Sequence, residues 1–318
     1  MPLRAVKDRA MHRRSFFRNL AAFASLGSWS GRNAVAAPAV IRRPPLLWSD
    51  EFVELSLSSP TRRGRWRPNE AWQDIATGYH DFAARSWNVN PSQTGFEAFS
   101  PFAVVEGILT LTNRIVPPTL ESAIRSTMND AGQMDLAVPG RMGGILITDP
   151  GMRSFLYGYF EFRVRFPNSG RGMFPAIWLF RDRANDDHDE KGRAEIDLFE
   201  LFGEPKGQPY HITLHQKNDR GAGDTFQVSP PEGEYFGDAG EWHVLALDWQ
   251  PDTLTFIRDG VILHRIQGDR AAWFNQSMSI RMNYAADATW FGQNRSDGST
   301  PEILKMEIDY VRVFETRV

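Results

Sequence analysis

The sequence predicts an all-β sandwich, and three observations favour this fold. Beyond residue 47 the chain breaks into segments of about 5–10 residues in which apolar and polar side chains alternate, as in half-buried strands. Clusters of Gly, Pro, Asn and Asp separate these segments, as expected for turns between many short strands. No segment shows a sustained apolar period of about 3.6 residues, so no long helix is predicted. Many short strands with frequent turns indicate two packed sheets.

Each predicted element follows from its own pattern. The Pro-rich stretch 37–46 is predicted to be an extended lead-in. Residues 62–93, rich in Arg, Trp and Asn, form a long connection, and such connections are often functional when ordered. Residues 181–192 form a highly charged connection, and 268–274 one helical turn. Nine segments are predicted strands: 103–112, 143–148, 159–166, 194–202, 210–215, 242–249, 254–259, 261–266 and 278–283.

The N-terminal residues have the pattern of an export signal. Arg13 and Arg14 open the run RRSFFR, a twin-arginine pattern, and an apolar stretch follows over 20–29. Small residues at 34–36 offer a cleavage site, so 1–36 is predicted to be a signal peptide and the protein periplasmic or extracellular. An ordinary secretory signal with two chance arginines is the alternative. The apolar stretch is too short to span a bilayer and nothing later is longer, so no membrane anchor is expected.

Composition and charge narrow the classes of partner. The first 36 residues hold seven Lys or Arg and one Asp, and the remainder holds 29 basic and 38 acidic side chains, a net charge of −9. Nucleic acids and anionic membranes call for basic patches, so neither is expected as a partner. The chain has no Cys, which excludes disulfides, a thiol nucleophile and thiolate metal ligands. Its 10 Trp suit both sugar stacking and ordinary sandwich cores.

One predicted strand carries three carboxylates in six residues. Side chains alternate along a strand, so Glu195 and Asp197 share a face, whereas Glu200 comes one position too late to join them. A one-residue β-bulge between Asp197 and Glu200 would return Glu200 to that face. Crowded acids cannot all ionise cheaply, so one would keep its proton and could act as a general acid. Two carboxyls about 5–5.5 Å apart suit glycoside hydrolysis with retention, and a charged, solvated edge strand is the alternative interpretation.

Further segments extend this pattern over most of the chain after residue 45. Five blocks accompany the acidic strand: LWSDEF at 47–52, YGYFEFR at 157–163, FPAIWL at 174–179, EWHVLALDW at 241–249 followed by Asp259-Gly260, and MEIDYVRV at 306–313. In this order they resemble glycoside hydrolase family 16, whose bulged signature reads Glu-x-Asp-x-x-Glu. The resemblance implies a β-jelly-roll sandwich of two antiparallel sheets, concanavalin A-like, with a concave substrate groove in a catalytic domain at 47–318. This chain departs from the family pattern at Phe174, where many members carry Trp.

The resemblance also implies roles for individual residues. Glu195 would be the nucleophile, Glu200 the general acid/base and Asp197 the assisting residue between them. For Glu161 and Arg163 the alternative interpretation is a cross-strand surface ion pair, and for Trp178 it is an aromatic side chain of the core. The implied substrate-binding residues are Glu161, Arg163, Trp178, His215, Asn283 and Trp290.

Metal binding is expected in a structural role at most, and no cofactor is expected for catalysis. His211 and His215 lie four apart in a predicted strand without Glu or Cys at ligand spacing, so catalytic zinc is not predicted. The acidic run 186–190 lacks calcium-loop spacing and is interpreted as a solvated loop. In the family a C-terminal Asp and a backbone carbonyl bind structural calcium, and Asp309 and Gly107 match those positions.

These observations predict an exported, retaining endo-β-glycanase that hydrolyses internal β-1,3- or mixed β-1,3/1,4-linkages. A glucan is the first expected substrate, and an exopolysaccharide of glucose and galactose is the second. Two alternatives use the same groove, namely a non-catalytic jelly-roll carbohydrate-binding protein and a transglycosylase with the same carboxylates. A pure binder gains little from three crowded acids, which weighs against the first alternative. A polysaccharide is the expected partner, and the protein is expected to act as a monomer.

Overall fold

A computed structural model describes residues 44–316 of the protein apart from 71–72, 82–83, 150, 152, 182–192, 203–209, 218–222, 229–239 and 293–294. The described residues form 17 strands, two α-helices and a 3₁₀ helix at Glu97–Phe99. The helices are α1 (Pro118–Asp130) and α2 (Asp269–Ala272). The strands are β1 (Leu46–Asp50), β2 (Trp66–Arg67), β3 (Tyr79–His80), β4 (Ser86–Asn88), β5 (Phe102–Val105), β6 (Ile108–Ile115), β7 (Arg141–Thr148), β8 (Gly158–Arg165), β9 (Met173–Phe180), β10 (Arg193–Glu200), β11 (His211–Lys217), β12 (Gly223–Val228), β13 (His243–Gln250), β14 (Thr253–Arg258), β15 (Val261–Gln267), β16 (Ser279–Ala286) and β17 (Ile303–Phe314).

The strands build two sheets that pack face to face, which confirms the predicted all-β sandwich. The first, called the outer sheet, has the order β15-β14-β13-β8-β17-β6-β5, with β1 paired to the end of β17. The second, called the groove sheet, has the order β2-β7-β16-β9-β10-β11-β12. Pairing between the named strands is antiparallel apart from β4, which runs parallel to the start of β7.

Strand β7 belongs to both sheets. Its first residues, Arg141 and Met142, pair with β6, whereas Gly144 to Ile147 pair with β16. Gly143 lies where the strand passes from one sheet to the other, and a Cβ added there would collide with the carbonyl oxygen of Tyr284. This crossing therefore requires glycine, because the two backbones approach too closely to admit a side chain.

The apolar core lies between the two sheets. Phe160, Phe162 and Val164 of β8 point inward from the outer sheet and are fully buried. Ile177 of β9 and Ile196 of β10 join the same buried cluster from the groove sheet. Each such side chain contributes about 1.5–3 kcal/mol by its burial. Since strand side chains alternate, the residues between these inward-facing ones point away from the core, onto the outer surfaces of the sandwich.

The predicted strand 103–112 is instead a hairpin. Strands β5 and β6 pair with each other, and Glu106 and Gly107 connect them with φ of 51° and 75°. Two central residues with positive φ make the tight turn that matches the twist of paired strands. The sequence prediction was wrong because it ran the apolar alternation through the Glu-Gly pair.

The absence of a long helix was also a wrong prediction, since α1 spans 13 residues. Leu120, Ile124 and Met128 recur every fourth residue on its buried face. They pack in a second cluster with Trp87 and other apolar side chains, apart from the main core. A Pro in the first turn starts the helix, because its missing N–H would have no partner there. The other helix, α2, falls inside the predicted helical turn 268–274.

The remaining predicted segments lie partly inside and partly outside the described residues. The long connection 62–93 contains the short strands β2, β3 and β4. The signal peptide at 1–36, most of the lead-in and the acidic run 186–190 lie outside the described residues. Among the residues that are described, no helix has both the length and the apolar character needed to cross a membrane.

Candidate active site

Strand β10 carries the three clustered acids on one face. Against β11, Glu195 pairs with His215 and Asp197 with Thr213, after which the register shifts and Glu200 pairs with His211. The same interruption appears against β9, between Asp197 and Phe199. The expected β-bulge is therefore present, and it returns Glu200 to the face of the other two acids.

This face is the floor of a groove of about 750 Å³. Strand residues from β7, β9, β10, β11, β12 and β16 line it, together with residues of the 62–93 connection. Its lining residues are Glu70, Gln73, Tyr79, Asp81, Ile145, Phe174, Ala176, Trp178, Phe180, Glu195, Asp197, Glu200, Phe202, His211, Thr213, His215, Thr225, Gln227, Asn283 and Trp290. The structure thus brings together seven of the nine residues that were expected to act in catalysis or substrate binding.

Glu200 is buried at the floor of the groove and holds its proton tightly. Burial raises its pKa well above the ordinary value, and the charges of Asp197 and, more weakly, Glu195 raise it further. The hydroxyl of Thr213 donates a hydrogen bond of 2.7 Å to Glu200 Oε2 and acts in the opposite direction, since it favours the ionised form. The protonated carboxyl is suited to act as a general acid.

Asp197 lies between the two glutamates and is 2% exposed. Its Oδ2 is 3.3 Å from Nε2 of His215, and Nδ1 of that ring is 3.1 Å from the hydroxyl of Thr225. The imidazole is therefore held from both sides. Glu195, Asp197 and His215 each place one potential ligand atom within 4.8 Å of the others, the one such trio found among the described residues.

Trp178 and Asn283 adjoin the acids on the neighbouring strands β9 and β16. The indole N–H of Trp178 donates a 2.7 Å hydrogen bond to the side-chain oxygen of Asn283, which fixes the orientation of the ring. The ring borders the groove, so it offers a flat apolar surface to a ligand. Both residues lie where the sequence expected substrate contacts.

Behind this ring lies a buried ion pair that the sequence did not reveal. Arg281 of β16 is fully buried and pairs with Glu70, which borders the groove. The guanidinium carbon lies 4.8 Å from the ring centre of Trp178 and 4.4 Å from that of Phe180. Cation–π contacts from this buried guanidinium stabilise the positions of both rings. A charged residue inside an apolar strand and a long Arg- and Trp-rich connection were the available signals.

An aromatic cluster forms one rim of the groove. Trp290 is 54% exposed, and its ring contacts Phe174 and Phe202 at centroid distances of 5.5 and 6.1 Å. Phe202 in turn stacks on His211 at 4.1 Å. The exposed indole matches the expected rim position of Trp290. Phe174, the departure from the family pattern, occupies the centre of this cluster rather than the floor beside the acids.

Comparison with known proteins agrees with this geometry. A sequence model described as glycosyl hydrolases family 16 matches residues 119–312, more than half of the chain. The chain belongs to glycoside hydrolase family 16. The match includes β10 with its three acids, as well as β9, β11 and β16 of the groove sheet.

Curated relatives of this family 16 chain carry the names of enzymes that act on β-linked glycans. A beta-glucanase from Rhodothermus marinus is 31% identical over 188 residues, 52% of this chain and 59% of the relative. An endo-1,3-1,4-beta-glycanase from Rhizobium meliloti (strain 1021) is 24% identical over 271 residues, 84% of this chain and 51% of the relative. A glucan endo-1,3-beta-glucosidase from Cryptopygus antarcticus is 28% identical over 184 residues, 50% of this chain and 62% of the relative. The chain thus spans about half to three-fifths of the length of these relatives.

Solved structures share the fold. The laminarinase from Rhodothermus marinus matches with a TM-score of 0.61 at 24% identity, over 87% of this chain and 99% of that chain. The catalytic domain of an endo-1,3-beta-glucanase from Thermotoga petrophila RKU-1 matches with a TM-score of 0.61 at 20% identity, over 87% and 100% of the two chains. The family 16 jelly roll therefore covers nearly the whole described part of this chain.

Two of the substrate-binding residues implied by the family resemblance do not lie in the groove, so this part of the prediction was wrong. Glu161 and Arg163 lie on β8 of the outer sheet and point away from the core, on the side opposite to the groove. Glu161 accepts a 2.9 Å hydrogen bond from the hydroxyl of Tyr310, and Arg163 pairs with Asp309 at 2.6 Å. The alternative interpretation, a surface ion pair, describes Arg163, whereas Glu161 is hydrogen-bonded to a tyrosine on the same surface. Alternation along β8 leaves no path from either side chain to the groove.

The calcium site that the family resemblance implies fits these residues poorly. Oδ2 of Asp309 is bonded to the guanidinium of Arg163, so the carboxylate already has a cation beside it. Calcium takes about 6–8 oxygen ligands, and Asp309 with the Gly107 carbonyl would supply few of them. Structural calcium stays an untested prediction, and no part of the function below depends on it.

Proposed function

We propose that this protein is an exported, retaining endo-β-glycanase that hydrolyses internal β-1,3- or mixed β-1,3/1,4-linkages of a glucan or a related exopolysaccharide. The observation that carries the proposal is the bulged strand β10, which presents Glu195, Asp197 and Glu200 to a single groove. The names of the curated relatives, which cover β-1,3- and mixed β-1,3/1,4-linkages, support the substrate class.

In this proposal Glu200 is the general acid and Glu195 the nucleophile. Glu200 protonates the glycosidic oxygen while the carboxylate of Glu195 attacks the anomeric carbon, so the leaving sugar departs as an alcohol and a glycosyl ester remains. The ionised Glu200 then removes a proton from water, whose oxygen attacks the anomeric carbon and expels the Glu195 carboxylate. Two inversions at that carbon retain its configuration.

Asp197 assists by keeping the proton on Glu200 in the free enzyme. Its negative charge is, after burial, the largest cause of the raised pKa of Glu200. The imidazole of His215 adjoins Asp197 and holds the carboxylate in place between the two glutamates. When Glu200 gives its proton to the leaving oxygen, the crowding of three carboxylates favours the return of a proton from water.

Substrate binding would use the aromatic and amide groups around these acids. Trp178 offers a ring face beside the nucleophile's strand, and Trp290 an exposed ring at the rim. The apolar faces of pyranose rings stack on such surfaces, while the Asn283 amide can bond to sugar hydroxyls. A neutral, extended polysaccharide fits a groove of this composition.

The test of the proposal is Glu195→Gln, with Glu161→Gln as the matched control on the outer sheet. Glu195→Gln should lower sugar release from β-1,3- and mixed-linkage glucans by several orders of magnitude, because an amide cannot form the glycosyl ester. Binding of the glucan and the melting temperature should be retained. Glu161→Gln should be as active as the unmodified protein. The measurement is reducing-sugar release on a panel of polysaccharides.

Three outcomes of this assay would contradict parts of the proposal. Equal activity of Glu195→Gln and the unmodified protein would refute the mechanism. Glucan binding without any sugar release by the unmodified protein would indicate a carbohydrate-binding protein. Products longer than the substrate, formed when acceptor sugars are supplied, would indicate a transglycosylase.

Export and a monomeric state complete the proposal. The run RRSFFR beginning at Arg13, followed by an apolar stretch and small residues, supports the twin-arginine route to the periplasm or the exterior. A polysaccharide substrate too large to enter the cell agrees with such a location. A single chain contains all the proposed catalytic residues, so activity does not require a second copy.

A further inference from the structure

A second cavity, called the side cavity, adjoins the groove. It has a volume of about 710 Å³ and lies between the 73–94 segment and the C-terminal end of α1. Gln73 and Tyr79 line both the side cavity and the groove, so the two spaces meet at these side chains. Tyr79 belongs to β3, which pairs with β4, and β4 pairs with the start of β7, so the junction lies on the side of the groove away from β12.

One glutamine ties the two walls of the side cavity together. Oε1 of Gln93 accepts a 2.7 Å hydrogen bond from the backbone N–H of Gly78 on the loop side. Its Nε2 donates a 2.9 Å hydrogen bond to the hydroxyl of Thr127 on α1. That hydroxyl donates in turn to the carbonyl of Ala123 within the helix. The amide thus uses both of its ends to hold loop and helix at a fixed separation.

The lining of the side cavity is polar and almost uncharged. Among the described residues that line it, Asp130 is the one carboxylate, and none is Lys or Arg. Burial, together with the charges of Glu70 and Asp81, raises the pKa of Tyr79 well above its ordinary value, so the hydroxyl stays neutral. The uncharged polar residues are Gln73, Thr77, Tyr79, Ser92, Gln93, Thr94, Thr127 and Gln133. Amides and hydroxyls without a cluster of charges suit a neutral, hydroxyl-rich ligand.

The base of the side cavity contains an unsatisfied donor. Trp87 is fully buried, and its indole N–H has no hydrogen-bond partner among the described residues. A Cβ added at the neighbouring Gly78 would lie 2.8 Å from this nitrogen and 2.5 Å from the carbonyl oxygen of Asn88, so the backbone packs too closely there to admit a side chain. A buried donor without a partner costs free energy, and Trp87 lines the side cavity, so a ligand hydroxyl that reached its indole N–H would reduce that cost.

We propose that the side cavity is a distal sugar subsite that binds a neutral hexose unit of a polysaccharide running past Tyr79 from the groove. This inference rests on the proposed function for the identity of its ligand, a polysaccharide, whereas the geometry of the side cavity does not depend on that proposal. A main-chain unit and a side branch present the same hydroxyl chemistry. Linear and branched glucans of matched length distinguish these two sources. Closure of the cavity should affect linear glucans if the cavity binds a main-chain unit, and branched glucans alone if it binds a side branch.

The test closes the side cavity without touching the groove. Ala131 directly follows α1, is exposed, and lines the side cavity but not the groove, so Ala131→Trp should fill the side cavity with an indole. Ser122→Trp places the same ring on an exposed face of α1 away from the cavity and serves as the control. Ala131→Trp should lower kcat/KM about tenfold on long glucans and leave it unchanged on the shortest oligosaccharide that is cleaved. Ser122→Trp should match the unmodified protein on both.

A binding measurement keeps the two proposals separable. Calorimetry with oligosaccharides of increasing length on Glu195→Gln should show a gain in affinity when the chain becomes long enough, and Ala131→Trp in that background should abolish the gain. Gln133→Leu, a smaller change in the same lining, should reduce it. An unmodified protein that cleaves no glucan would refute the proposed function alone. Equal length dependence with and without Ala131→Trp would overturn the side-cavity subsite.

Discussion

At the scale of single residues, position on the strand and surroundings determine the proposed roles. The period of two and one bulge place Glu195, Asp197 and Glu200 on one face, and both features can be predicted from a short stretch of sequence. The pairing of Arg281 with Glu70 could not be predicted in this way, because the two residues are 211 positions apart. Their contact depends on how the 62–93 connection crosses the sheet, which local patterns do not specify.

The hydroxyl of Thr213 provides a test of the acid role of Glu200. It donates to Oε2 and lowers the pKa of Glu200, although burial and the neighbouring carboxylates raise that pKa more. Thr213→Val should therefore raise the pKa further. A general acid loses its proton, and hence its activity, as the pH rises through its pKa, so the alkaline limb of the kcat/KM profile should move to higher pH. The pH profile of glucan hydrolysis measures this shift.

A chemically matched control for this change is Thr110→Val on β6 of the outer sheet, which should leave the profile in place. An alkaline limb that moves to lower pH in Thr213→Val, or does not move, would contradict the assignment of Glu200 as the acid.

At the scale of elements, strands with clear alternation were predicted well and elements with mixed signals were not. Strands β8, β10 and β13 lie within about two residues of their predicted bounds. Helix α1 was missed because its polar positions dominate the local composition, although Leu120, Ile124 and Met128 have helical spacing. The β5–β6 hairpin was read as one strand because its turn is only two residues, Glu106 and Gly107.

Helix α1 packs on its own small apolar cluster, and the contribution of this cluster to the free energy of unfolding can be measured. Ile124 is fully buried among the apolar side chains of the second cluster. Ile124→Ala should lower the free energy of unfolding by roughly 2–5 kcal/mol, through lost burial and the cavity left behind. Urea denaturation followed by tryptophan fluorescence gives this value. Ser126→Ala, on an exposed position of the same helix, should stay within about 0.5 kcal/mol of the unmodified protein.

The outer sheet allows a test of metal dependence. Arg163 supplies the positive charge beside Asp309, so the carboxylate needs no calcium ion to balance it. Treatment with a chelator should leave the melting temperature and the rate of glucan hydrolysis unchanged. A melting temperature that rises with added calcium and falls with the chelator would show that the ion displaces Arg163. Thermal unfolding in the two conditions measures the effect.

At the scale of the whole molecule, the two packed sheets could be predicted from the sequence, but the strand that joins them could not. The number of strands, their alternation and their turns are sufficient to predict a sandwich. The passage of β7 from one sheet to the other depends on close contact between Gly143 and Tyr284, which are distant in sequence. A glycine in a predicted strand indicates a close approach of backbones, but it does not identify the partner.

Because one strand supplies hydrogen bonds to both layers, neither layer can come apart while the other stays intact. Unfolding should therefore be a single cooperative event in which β6 and β16 lose protection together. Native-state hydrogen exchange should show equal opening free energies for Met142 with its β6 partner Arg114 and for Leu146 with its β16 partner Met282, with β15 at the sheet edge opening earlier. Two distinct opening energies on either side of Gly143 would mean that the layers melt independently. In a chain without cysteine, and hence without disulfides, this shared strand would also limit proteolysis, since neither sheet would open alone to expose a cleavable intermediate.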